Sequence, residues 1–87
     1  SATESQNQTE ISVYPNPAKN HVLFIMNDYY PQHGRINLYD NLGRLQKSKK
    51  ISQGWNNLEV QDLPRGVYYY EVVDDGRQLY SGKLLLN

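Results

Sequence analysis

The sequence contains no cysteine, so neither a disulfide framework nor a thiolate metal site is open to it, and stability must come from packed side chains and backbone hydrogen bonds. It has no net charge. Nine basic residues balance nine acidic ones, leaving no field to gather nucleic acid or to hold the chain on an anionic membrane. Long apolar runs are missing too: the longest, Val22 to Met26, is far short of the roughly 20 residues that span a bilayer as a helix. No transmembrane segment is expected. The chain opens on Ser1 without a basic, then apolar, then small-residue leader, which reads as a piece cut from a longer protein. Metal-ligand spacing is absent, because His21 and His33 stand without cysteine or an acid-rich cluster beside them. Serines without a histidine neighbour or a nucleophile elbow, and carboxylates such as Asp74 and Asp75 that suit a turn, argue against catalysis. No catalytic residue, cofactor or metal is expected.

What is present is one domain's worth of short β-rich runs separated by turn residues. Residues 1–10, SATESQNQTE, carry no large apolar side chain and are read as a flexible linker, with a folded domain over 11–87. Seven runs follow: Ile11 to Tyr14, His21 to Asn27, Arg35 to Tyr39, Arg44 to Ile51, Trp55 to Val60, Gly66 to Val73 and Arg77 to Leu86. Close spacing of such runs marks an all-β protein. An immunoglobulin-like antiparallel β-sandwich of about seven strands is the expected architecture, with a small barrel as its competitor. In His21 to Asn27, apolar residues on both faces (Val22, Phe24 and Met26 against Leu23 and Ile25) predict a central strand covered on both sides. Asp40 and Gly43 supply turn chemistry, a capping carboxylate and a residue tolerant of positive φ.

The tyrosine run "GVYYYEVV", 66–73, divides by parity. Tyr68, Tyr70 and Val72 share one face and Tyr69 the other, so the three rings cannot form one stacked platform. Core filling is preferred for Tyr68 and Tyr70, with a hydroxyl reaching a backbone carbonyl across the sandwich. Trp55, Tyr69, Tyr39 and Tyr80 are candidates for an exposed aromatic patch suited to carbohydrate or protein. The basic run "RLQKSKK", with Arg44, Lys47, Lys49 and Lys50, either meets an anionic surface or keeps an exposed sheet edge from pairing. The last apolar run, Leu84 to Leu86, either closes the core through Leu84 and Leu86, which is preferred, or offers a strand for a partner to capture.

Four segments in this order, "VYPNPAKN" (13–20), "INLYDNLGR" (36–44), "LPRGVYYYEV" (63–72) and "GKLLLN" (82–87), together resemble the type A C-terminal sorting domain of the type IX secretion system. The family's proline turn falls on Pro15 and Pro17, its Tyr-Asp-x-x-Gly hairpin on Tyr39, Asp40 and Gly43, its Gly-x-Tyr strand start on Gly66 and Tyr68, and its near-terminal lysine on Lys83. Many members finish on a basic residue, whereas this sequence stops at Asn87. The resemblance implies a noncatalytic delivery label for an upstream cargo protein, recognised by an outer-membrane translocon in Gram-negative bacteria. It also implies removal by a sortase-like peptidase within or before Ser1 to Glu10, with the cargo then secreted or attached to the cell surface. A carbohydrate-binding or spacer module of an extracellular enzyme is the rival reading. A strand-exchanged dimer is the expected form of any self-association.

Overall fold

The computed structural model describes residues 10–27 and 29–87. Among them the chain forms seven strands and no helix: β1 (Glu10–Tyr14), β2 (His21–Asn27), β3 (Gly34–Asp40), β4 (Leu45–Lys50), β5 (Trp55–Glu59), β6 (Gly66–Asp74) and β7 (Arg77–Leu86). They make two antiparallel sheets, one of three strands in the order β1-β2-β5 and one of four in the order β4-β3-β6-β7. The expected all-β class is what the chain adopts. The linker expected over 1–10 falls on residues outside the described ones, except that the backbone of Glu10 already belongs to β1 opposite Asn27.

Alternation places the core. Val22, Phe24 and Met26 of β2, Ile36 and Leu38 of β3, Leu58 of β5, Tyr68, Tyr70 and Val72 of β6, and Leu84 and Leu86 of β7 are all buried in one cluster shared by the two sheets. The ring of Phe24 meets that of Tyr70 edge-on, with centroids 5.3 Å apart, an attractive geometry for the opposed ring quadrupoles. β2 is central in its sheet, but the expectation that both its faces are covered is not met. Leu23 and Ile25 are only half-buried, because among the described residues no third layer lies outside the three-stranded sheet. The Tyr68 hydroxyl does find a carbonyl, that of Pro64 four residues back, rather than one across the core.

Two polar residues shape loops that alternation does not explain. Asn56 is buried and turns its amide on the 52–54 loop, accepting from the Ser52 amide at 2.8 Å and donating to the Ser52 carbonyl at 2.9 Å. Asp74, expected simply to make a turn, is 7% exposed and accepts from the Tyr29 hydroxyl, the His33 amide at 2.8 Å and the Gln32 amide at 3.2 Å. The hydroxyl and amides hold its carboxyl below the usual range. Burial, with the same hydrogen bond, pushes Tyr29 up to about 12. The tight turn itself falls to Asp75 and Gly76, both at positive φ (54° and 78°).

Candidate functional site at the chain end

The last strand is held from both sides. Along one edge β7 pairs with β6, Tyr68 opposite Leu84 and Gly66 opposite Leu86, and Leu84 and Leu86 point inward with at most 2% exposure. The other edge of its final residues is taken by the proline turn. Asn16, between Pro15 and Pro17, donates from Nδ2 to the Lys83 carbonyl at 2.9 Å and accepts the Leu85 amide on Oδ1 at 3.1 Å. Its side-chain amide thus stands in for one peptide unit of a neighbouring strand. Ala18 continues the imitation: its amide donates to the Leu85 carbonyl and its carbonyl accepts from the Asn87 amide, both at 2.8 Å, in a single parallel bridge. The prolines, which cannot donate to a ladder, leave Asn16 and Ala18 as the bonding residues of the turn.

Arg65 ties the same end together from below. Its guanidinium donates to the carbonyls of Val60 (2.7 Å), Leu63 (2.7 Å) and Lys19 (2.6 Å), and at 3.3 Å to that of Asn87. The planar fork of five donors is what lets one side chain serve several carbonyls. Neither Asn16 nor Arg65 stands out in the sequence. A polar residue trapped between two prolines is the one local cue, and it does not say which strand the amide will meet.

The hairpin motif lies beside this knot. The Asp40 carboxylate accepts from the amides of Leu42 and Arg44, each at 2.9 Å, and from Arg44 Nε at 2.8 Å, and Gly43 takes φ 81°. The Arg44 amide, ahead of the other donors, keeps the Asp40 carboxyl below its usual range. Asp40 sits opposite Tyr68 in the ladder, so this hairpin and the Gly66 strand start share a shallow cavity of about 210 Å³, lined also by Arg44, Pro64 and Arg65. Gly66 has φ 143° with open space where a side chain would project; backbone conformation, not crowding, selects glycine there.

The basic run is largely occupied. Lys47 pairs with Asp62 at 2.9 Å, Lys49 donates to the Asn57 carbonyl, and Arg44 is held by Asp40. Lys47 and Lys49 thereby stretch from the β4 edge of one sheet toward β5 and the loop after it, the edge-guarding arrangement. Lys50 joins no ion pair among the described residues.

The expected aromatic patch does not assemble. Trp55, 69% exposed, lies opposite Ile25 on the outside of the three-stranded sheet, while Tyr39 and Tyr69 face each other on the outside of the four-stranded one. Tyr80 turns the other way and stacks on Tyr70 with centroids 6.1 Å apart, because it shares the parity of inward-facing Leu84 and Leu86 and lies opposite inward-facing Val72. Instead, the outer surface of the four-stranded sheet carries a row of Leu45, Tyr39, Tyr69 and Lys83, each opposite the next, with Val67 opposite Leu85 alongside. Tyr39 donates to Glu71 Oε2 at 2.6 Å, and this bond raises its pKa. Parity in a single strand cannot reveal such a row, since it depends on register between four strands.

The described residues thus form a small all-β domain whose proline turn and last strand close on each other, with no cluster of three or more metal-ligating side chains among them. The chain belongs to the secretion system C-terminal sorting domain family, whose model matches residues 12–87, and so carries a type IX sorting signal. No curated protein matches it.

Proposed function

We propose that this domain is a noncatalytic secretion signal that takes an upstream cargo protein through the type IX translocon across the outer membrane, after which a sortase-like peptidase removes it and leaves the cargo secreted or on the surface of a Gram-negative cell. The observation that carries the reading is the family match over 12–87, joined to the convergence of the family's motif positions. Pro15 and Pro17 flank the amide that grips Lys83 and Leu85, and Asp40, Gly66 and Tyr68 share the adjoining cavity. Two of the acidic side chains that acid–base chemistry would need, Asp40 and Asp74, are engaged in a turn and a loop cap.

The immunoglobulin-like form is part of this reading. Three strands in the order β1-β2-β5 facing four in the order β4-β3-β6-β7 is a sandwich split of that kind, and the Tyr68 hydroxyl bound to a carbonyl four residues upstream has the geometry of a tyrosine corner. The test is a reporter fused ahead of this chain in a bacterium with an active type IX system. The whole chain should bring the reporter outside the cell, and removal of residues 83–87 should leave it in the periplasm. Export without those residues refutes the reading, and binding of polysaccharide abolished by Trp55→Ala favours the carbohydrate module.

A further inference from the structure

We propose that the outer surface of the four-stranded sheet, centred on Tyr69, Lys83 and Leu85, is what the export machinery grips, and that its partner is a folded protein surface with apolar side chains around a carboxylate that meets Lys83. The inference rests on the sorting reading and goes beyond it by choosing a face of the domain over the edge of its last strand.

Strand addition needs free amides and carbonyls along β7. At the chain end they are already used: the Lys83 carbonyl by Asn16, the Leu85 amide by Asn16 and its carbonyl by Ala18, and the Asn87 amide by Ala18. A partner reading that edge must first strip off the proline turn. The side chains on the outer face need no such displacement. Tyr69 is 46% exposed, Leu45 54%, Leu85 39% and Val67 37%, and register makes them contiguous.

Charge identifies the kind of partner. Lys83 lies in the same row, directly opposite Tyr69, is exposed, and joins none of the ion pairs found among the described residues. The nearest acid by register on that face, Glu71, is taken up by Asn37 Nδ2 at 3.1 Å and the Tyr39 hydroxyl at 2.6 Å. The patch therefore shows aromatic and aliphatic surface around a cation with no ion-pair partner among the described residues, and an acidic group within an apolar surface is its complement. Beyond it the face turns polar, with Ser48, Asn37, Glu71 and Ser81 in the next row, which gives the patch a boundary.

The reporter fusion, with the whole chain at its end, provides the test. Lys83→Glu, Tyr69→Ser and Leu85→Ser should each cut extracellular reporter at least tenfold, Lys83→Arg should keep it, and Trp55→Ser on the opposite sheet should leave it unchanged. Thermal unfolding of the purified variants, all altered at outward positions, checks that they fold. Normal export by the three face variants, while removal of residues 83–87 still traps the reporter, overturns the face inference and leaves the sorting reading standing. Greater export from Asn16→Ala, which frees the strand edge, overturns it in favour of strand capture. Sedimentation velocity showing a dimer that Leu85→Ser dissolves overturns it in favour of a second copy of this chain.

Discussion

At the scale of single residues, side-chain oxygens and amides do much of the work of closing loops. Asp40 and Asp74 each gather amide and hydroxyl donors that favour the ionised carboxylate, so their folded pKa values lie below those of the unfolded chain, about 3.9 for aspartate. The unfolded state then binds more protons in acid. The stabilisation is complete above about pH 5 and drains away as pH falls through the folded values. Tyr29, raised to about 12, gives the opposite limb: from its unfolded value near 10 upward the unfolded chain loses its proton first, and stability falls. Urea midpoints measured against pH should show both slopes, with Asp74→Asn flattening the acid one and Tyr29→Phe the alkaline one. Asn16→Ala removes two hydrogen bonds in an exposed setting, for a cost of about 1 kcal/mol. Its sharper signature is faster amide exchange at Leu85, whose amide Asn16 accepts, with the rest of β7 unchanged.

At the scale of elements, faces follow from parity and neighbours follow from register. The alternation of β6 correctly separates buried Tyr68 and Tyr70 from exposed Tyr69, and the turn chemistry of Asp40 and Gly43 is visible in the sequence because it is local. Tyr80 keeps to the same rule: it shares the parity of Leu84 and Leu86 and so comes to the inner side against Tyr70, whereas the bulge between Val72 and Val73 shifts only the residues nearer the turn, Gln78 and Arg77. The same packing creates a demand at Gly82: a Cβ built there lies 2.6 Å from Tyr70 Cζ. Gly82→Ala should therefore push Tyr70 out of its place beside Phe24 and destabilise the domain by about 1–3 kcal/mol, read as a lowered thermal midpoint with altered near-ultraviolet dichroism. Gly66→Ala meets no such obstacle, and its cost should come from backbone conformation alone.

At the scale of the whole molecule, the last strand is part of the core and lies within the stretch matched by the family model. Leu86, 2% exposed, should cost about 2–5 kcal/mol when cut to alanine, a large share of the 5–15 kcal/mol that holds a typical domain. Equilibrium denaturation of Leu86→Ala is the check. Export assays on the same variant would mix unfolding with lost recognition, which is why the outward positions Lys83, Tyr69 and Leu85 are the informative ones for partner binding. The closure is also long-range: Asn16 and Lys83 are 67 residues apart in the chain, so it is a product of the tertiary fold and not of any local segment.

The sequence by itself determined the all-β class, the strand count, the split of the tyrosines and the family, because alternation, turn residues and ordered motifs are written within a few neighbouring positions. Tertiary structure alone decided that Asn16 and Arg65 fasten the chain end, that Trp55 stands apart from Tyr39 and Tyr69, that the lysines of β4 are mostly engaged, and that Lys83 sits in an apolar row. Each of these depends on which strands become neighbours and in what register. That choice is made by packing both sheets around one core, and it leaves no trace in any single segment.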